Sequence, residues 1–525
     1  MKKANLLFYA CIALNALPVL LFQFFPSMDG PAHLYNANIL RHLWAGQSEV
    51  LHQWYTVNPA PVPNWTSHVL LAAFGAFLPA YLAEKALLLL YVVGLPLAFR
   101  AFVNRISPVH SPMVYLIFPF VYNYLFCLGF YNLSLSIVLL FAGLAISIKQ
   151  MEAPSTSGWM IQMFLFLLTY FTHPFNFTLL ALGAYAIWAT HFLFLLTFPP
   201  ASYWHRFRLS RPHLLRLGLA SCIPMVLLFH FYATQHFPNS GERLSMGELM
   251  RFLKDVRPLI SYHYENELRL TEQLYHLYIA LLAIVFYERI NEVSGQCYNR
   301  LEKWKRLFRP SDLWLGMALF ILALLFAVPN GASAGMMSDR FALFFFLFLV
   351  VWLAVQPFPR WLWRAATALV LILNFGLVYR YLTVSKNLNR LVAQCVAASR
   401  QIDAGSTVLP LNYSENWLAP HFSNYLGIEK PMLILENYEA DMGWFPLLWR
   451  GVRPSPVLGM DTLRSCLPFQ DDALDTTVPI DYVFVLGKMT EADSCQVLLQ
   501  RAIDRDYERV YGTGEEEVRL FRRRW

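Results

Sequence analysis

LLFYACIALNALPVLLFQFF (residues 6–25), running into PSMDGPAH (residues 26–33), is the stretch on which the fold turns. The first part is apolar over the ~20 residues needed to cross a bilayer core. It follows Met1-Lys2-Lys3, as the apolar core of a signal peptide would. It is longer than such cores, and no small-residue cleavage site precedes Asp29, so it is expected to stay as an anchor. Asp29 then has two readings. It is an N-cap for a helix starting at Pro31, since Asp suits the cap and Pro the first turn. Or it is an acid held at the membrane surface for chemistry.

The rest of the chain continues in the same style. Of its 525 residues 57% are hydrophobic and 14% charged, with a mean hydropathy of +0.42. Soluble domains carry about 25% charged residues, which excludes an ordinary globular protein. The net charge of +7 comes from Lys and Arg lying mostly in short loops between apolar runs. That is the positive-inside pattern and not a nucleic-acid footprint. The seven cysteines show no CxxC or Cys/His spacing that would indicate a metal site. A disulfide between Cys466 and Cys495 stays open.

Working outward from Asp29 with the amino terminus inside, the first outer loop covers residues 26–67. It holds a helical pattern from His33 to Trp44 and a proline-broken stretch from Asn58 to Pro63. His68 to Pro79 is apolar but only about half a span, so it reads as interfacial or re-entrant. The next span, Glu84 to Phe102, then ends inside at Arg100 and Arg105, as the charge rule requires. Continued alternation gives about eleven crossings. They include a span from about Met113 and a last one from about Ala365 to Leu382. A long polar outer loop covers residues 235–272. From about Ser385 short β-type runs appear at Thr407–Pro410, Met432–Leu435 and Tyr482–Gly487. A hairpin is expected from Arg509 to Phe521 around Gly512, with helical stretches at Leu388–Asp403 and Glu491–Asp504. The expected fold is a polytopic α-helical membrane protein of about 11 transmembrane helices, with interfacial helices in the first outer loop. Residues 1–384 form the membrane part, and residues 385–525 a small extracytoplasmic α/β domain. Short loops and a compact exported domain suit a bacterial inner membrane, with the amino terminus cytoplasmic.

This layout collects the reactive side chains on the outer side. They are Asp29, His33, Tyr131, Asn132, His173, the cations Arg243, Arg251, Lys254 and Arg257, and the pair Asp339 and Arg340. Each has a plain alternative. His33 reads equally as a surface histidine, and His173 before Pro174 as the end of a span. Arg340 reads as the partner of Asp339, and the four loop cations as the polar face of an interfacial helix. Cations on the outer side nevertheless run against the positive-inside rule, which favours a bound anion as their reason.

The chain resembles the GT-C glycosyltransferases, polytopic enzymes that use polyprenyl-phosphate-linked sugars. The resemblance rests on Met28-Asp29-Gly30-Pro31-Ala32-His33 after the first span, on Tyr170-Phe171-Thr172-His173-Pro174, and on Asn330-Gly331 with Ser338-Asp339-Arg340-Phe341. It covers the whole chain in layout. It implies transfer of a sugar from a polyprenyl-phosphate donor to a glycan, lipid or protein acceptor, with inversion and with Asp29 as general base. Arg340 would hold the donor phosphate, with Arg243, Arg251, Lys254 and Arg257 as further candidates. His33, Tyr131, Asn132, His173 and Asp339 would contact substrate. Many members carry two adjacent acids in this loop, whereas Gly30 follows Asp29 here. Hard cations want several oxygen ligands, so no cofactor is expected and a divalent metal is disfavoured. The other classes are a flippase for a lipid-linked saccharide, which needs ionisable residues inside the spans, and a non-catalytic membrane scaffold.

Overall fold

The computed structural model describes residues 2–107, 111–196, 203–237, 241–294, 307–333, 335–458, 469–470, 473–474, 477–489, 494–512 and 517–524. Cys466 and the Lys303–Arg306 cluster lie outside them, and so does the Cys495 side chain. Eight helices among the described residues are long and apolar enough to cross a membrane. By length and composition, the chain is a multi-pass helical membrane protein with a small carboxyl-terminal sheet region.

The chain divides into two compact units. The first comprises Met1–Leu17, Tyr91–Phe126 and Leu133–Tyr381; the second comprises Pro18–Leu90, Cys127–Asn132 and Leu382–Trp525. The residues of the first outer loop therefore group with the carboxyl-terminal sheet, not with the bulk of the apolar helices as the 1–384 boundary assumed. The boundary near residue 384 also falls inside one continuous helix, Arg360–Ser399, and not between a span and a separate Leu388–Asp403 helix. Nothing in that segment stops a helix, because no proline follows Arg360 and its single glycine, Gly376, is seated against Leu270.

In the first unit the helices pack through large apolar side chains and a few glycines. Cβ atoms built on Gly143 and Gly183 would lie 2.7 Å from Leu180 and Leu144 respectively. The Tyr131–Glu152 and Pro174–Leu196 helices thus interlock leucine over glycine, the close approach that small residues permit. The span expected from Met113 takes a different form. Pro112–Tyr122 is a 3-10 helix with Pro112 at its start and Pro119 inside, and its residues are buried from Met113 to Tyr122. Prolines remove the donors that an α-helix needs, so the segment winds differently. The loop expected over residues 235–272 contains the strongly amphipathic Met246–Lys254 helix, closed by a Ser245/Glu248 capping box.

One polar tie in this unit has a measurable weight. Arg289 meets Asp312 through two hydrogen bonds of 2.7 and 2.8 Å, and the Trp352 indole donates to Asp312 at 2.8 Å. Both charged side chains are largely sheltered from water. Asp312→Ala would leave the guanidinium buried without its partner, at a cost of roughly 3–5 kcal/mol. Removing the exposed Arg505–Asp506 pair should cost under ~1 kcal/mol. Denaturant unfolding of the two variants in detergent checks this, and equal losses would show that the Arg289 tie is not a buried one.

In the second unit a five-stranded mixed sheet runs in the order Leu433–Ile434, Thr407–Tyr413, Tyr482–Gly487, Val518–Arg523, Tyr507–Tyr511. The first three strands are parallel and the last two pair antiparallel, with Val408 opposite Tyr482 and Val483 opposite Phe521. Thr407–Tyr413 and Tyr482–Gly487 are buried throughout, as parallel strands covered on both faces are. The runs marked as strands in the sequence are therefore strands, and the final pair is the expected hairpin.

The Gly30–Ala45 helix is buried from Gly30 to Leu40. Tyr35 sends its hydroxyl to Met432 O (2.9 Å) and accepts from Ile434 N (3.1 Å), while a Cβ on Gly427 would lie 2.5 Å from the Tyr35 ring. A short antiparallel pair, Tyr55–Val57 with Leu447–Trp449, joins the same segments again. This helix faces protein on most sides. Thr66–Gly75 keeps one buried face, formed by Ser67, His68, Leu71 and Ala72.

Candidate functional site

Asp29 stands at the cap position of the Gly30–Ala45 helix, but its side chain caps nothing. Its backbone is in the right-handed region, and no side-chain cap hydrogen bond forms. Ser27 does that work, its Oγ accepting from Gly30 N at 3.2 Å. Asp29 is held by its backbone, N donating to Leu128 O (2.9 Å) and O accepting from His33 N (3.0 Å). Gly129, at φ +98°, makes this approach feasible, because a Cβ there would lie 2.7 Å from Gly30 N and 2.9 Å from Asp29 N. The carboxylate itself turns to side chains of the carboxyl-terminal segment.

Those partners form a buried ionisable cluster. The Tyr438 hydroxyl donates to Asp29. His421 Nε2 lies 3.8 Å from Asp29 Oδ1, and His421 Nδ1 donates to Glu436 Oε1 at 2.8 Å. Glu436 is fixed in turn by Ser423 and Asn424. One turn into the helix, His33 Nδ1 lies 2.6 Å from Glu439 Oε1, and His68 Nε2 lies 2.7 Å from Glu439 Oε2. Asn36 donates to Glu439 Oε2 at 2.7 Å. Tyr131 donates to Glu84 at 2.9 Å and meets Ser27 Oγ at 2.9 Å. Among the described residues, His33, His68 and Glu439 are the one group of His, Cys, Asp or Glu with ligand atoms close enough to share a metal ion.

Burial and neighbours set the protonation tendencies. Burial pushes the Asp29 carboxyl up to about 6, although His421, His33 and the Tyr438 hydrogen bond favour its charged form. Burial alone would depress His33 and His421; the carboxylates of Glu439 and Asp29 raise the first, and those of Glu436 and Asp29 the second. Burial would likewise raise Glu439, but His68 and His33 hold it far below the usual carboxylate range.

Of the residues singled out in the sequence, Asp29, His33, Tyr131 and Asn132 lie in this second unit. Asn132 accepts from Ser67 N (2.8 Å) and donates to Asn64 O (3.0 Å), so it clamps the loop. The others lie in the first unit and group there among themselves. Arg340 and His173 are both buried and are electrostatic neighbours, and Asp339 feels both Arg340 and Arg257. The Arg257 guanidinium lies 4.2 Å from the centre of the Tyr124 ring. Arg251 is exposed on the amphipathic helix, Lys254 pairs with Glu272 at 3.1 Å, and Arg243 donates to Ala327 O at 3.4 Å.

The sequence reading missed His68, Glu84, His421, Glu436, Tyr438 and Glu439. Glu84 carried a signal as an acid opening an otherwise apolar span. Leu435-Glu436-Asn437-Tyr438-Glu439 carried another, a polar run at the carboxyl end of a parallel strand, where α/β sheets place their ligands. His68 and His421 had none. No protein-family model matches the chain, and no curated protein matches it.

Proposed function

We propose that this protein is a membrane glycosyltransferase that moves a sugar from a polyprenyl-phosphate carrier to an acceptor hydroxyl at the extracytoplasmic face, with inversion and with Asp29 as general base. The observation that carries this reading is the Asp29 carboxylate. It is 7% exposed, free of any helix-capping duty, and faces His421 and Tyr438. A carboxyl held near 6 is ionised at neutral pH yet basic enough to accept a proton from a hydroxyl. In the step, the acceptor oxygen bonds to the anomeric carbon while the bond from that carbon to the phosphate oxygen breaks. The hydroxyl proton passes to Asp29, and the phosphate leaves as an anion. His421, backed by Glu436, stabilises the carboxylate before the transfer.

Within the first unit, Arg340 and His173 are candidates for holding an anion such as a carrier phosphate, a guanidinium being matched to phosphate oxygens. The first unit also supports a lipid tail. A groove of about 380 Å³ is lined by Tyr278, Leu282, Phe346 and Leu349, with Arg251 and Lys254 its only charged lining. The full topology in this reading adds three further apolar segments to the eight long helices: Asn5–Leu20, Pro112–Leu128 and Thr156–Thr172. The amino terminus is then cytoplasmic and the sheet domain extracytoplasmic, in a bacterial inner membrane.

The test is the purified protein in lipid nanodiscs with radiolabelled polyprenyl-phosphate hexoses and pentoses. The expected result is label on the acceptor together with free polyprenyl phosphate. Label that crosses a sealed vesicle membrane still attached to its carrier would make the protein a flippase instead. Arg340→Ala should raise the donor KM by roughly 10- to 100-fold, the weight of charge-assisted hydrogen bonds, and leave the acceptor KM nearly unchanged. An unchanged donor KM would remove Arg340 from the phosphate site.

A further inference from the structure

We infer that His33, His68 and Glu439 form a binding site for a divalent transition-metal ion of the zinc class, held through His33 Nδ1, His68 Nε2 and the Glu439 carboxylate. The site does not rest on the transferase reading. It uses side chains outside the proton-transfer step, and metal content is read without any activity assay.

The first argument is hydrogen-bond accounting. His33 Nε2 faces Gly129 O at 3.1 Å and His68 Nδ1 faces Asn64 O at 3.1 Å. In the tautomers that donate to these carbonyls, each neutral ring presents its other nitrogen as a lone pair, and those two nitrogens are 3.3 Å apart and 2.6 and 2.7 Å from the Glu439 oxygens. That arrangement brings four electron-rich atoms together. Glu439 Oε1, fully buried, meets no well-aligned hydrogen-bond donor. A second proton on both rings would set two imidazolium N–H groups against each other inside a buried cluster. A cation at the convergence point resolves all of these contacts together.

The second argument is the form of the donor set. Metal-bound histidines almost always donate their remaining N–H to a carbonyl or carboxylate, which fixes tautomer and ring angle. Both histidines do so here. Asn64 even holds a positive φ of 65° while its carbonyl receives both His68 and Asn132. Asn36 orients the Glu439 carboxylate in the same way. Two ligands about 2.0–2.1 Å from a tetrahedral ion stand about 3.3 Å apart, which is the separation of the two ring nitrogens. Two imidazoles and one carboxylate suit zinc and its transition-metal neighbours, whereas magnesium and calcium prefer oxygen throughout. Three protein ligands leave a position open, the arrangement of zinc sites that take water or substrate.

The experiment uses the full chain in detergent, stripped with a chelator and dialysed into metal-free buffer. Calorimetric titration with Zn²⁺ should show saturable binding, and Mg²⁺ at the same concentrations should show none. His68→Gln and Glu439→Gln should each weaken Zn²⁺ binding by about 100-fold or more, beyond the loss that follows removal of an outer-shell partner. X-ray absorption on the Zn²⁺-loaded parent supplies a measurement that needs no variant, with imidazole scattering expected around the ion. A stripped parent that takes up no Zn²⁺, variants that bind it undiminished, or an ion with no imidazole around it would each overturn the site. The first of these outcomes would leave a doubly protonated histidine pair sharing Glu439.

Discussion

Asp29→Asn is expected to cut sugar transfer by about 10²- to 10⁴-fold, the usual contribution of a positioned base, while the protein folds, inserts and binds donor as before. The amide is isosteric and still accepts from Tyr438, and Ser27 continues to cap the helix, so nothing structural depends on the carboxylate. The stability of the variant supplies the control. Burial raises the Asp29 carboxyl to about 6, so at neutral pH the fold carries a charge it disfavours. A neutral side chain removes that penalty, and the variant should be at least as stable as the parent at pH 7. The parent itself should gain stability as pH falls from about 6 towards the ordinary aspartate value, because the folded state then binds the extra proton. An inactive variant that is also clearly less stable would mean that Asp29 serves the fold, and a fully active one would remove it from the chemistry.

Gly129→Ala is expected to damage both the fold of the second unit and the setting of Asp29. Alanine at φ +98° resists the left-handed conformation by roughly 1–2 kcal/mol, and the new methyl would press on Gly30 N and Asp29 N. Backbone cannot rotate away as a side chain can, so overpacking adds roughly 1–3 kcal/mol. The collision also shifts the two residues that matter most, since Gly129 O holds His33 and its neighbour Leu128 O holds Asp29. Both stability and transfer should fall. Gly46→Ala carries the conformational contribution alone, because Gly46 shares the positive φ (65°) and has nothing within 4 Å of a built Cβ. Unfolding in denaturant should show Gly129→Ala losing more than Gly46→Ala by the overpacking amount. Equal losses would mean that the approach of Gly129 to Asp29 carries no load.

The particular residues explain where sequence reasoning reached and where it stopped. Asp29 and His33 were legible because they follow the first apolar run at helical spacing, and Arg340 because it is a cation where loop charge predicts none. Their assigned partners were not legible. The choice between a cap and a free carboxylate at Asp29 turned on Ser27, two residues upstream and equally able to cap. The doubt over a metal arose from counting acids within one loop, whereas Glu439 lies in a distant part of the chain from His33. Asn132 was marked on its position in a turn, and its tie to Ser67 N and Asn64 O was not legible there.

From sequence alone came the membrane character, the helical class and the strands of the carboxyl-terminal sheet. These follow from local quantities: the length of apolar runs, the placement of charge, alternation along a strand. Only the tertiary structure decided which of the polar side chains share a cluster. Contacts such as His33 with Glu439 or Asp29 with His421 join residues about four hundred positions apart. Nothing in the spacing of a sequence encodes such a meeting. It is set when burying apolar surface brings those segments together, and the polar groups carried inside must then find one another, because water is no longer there to satisfy them.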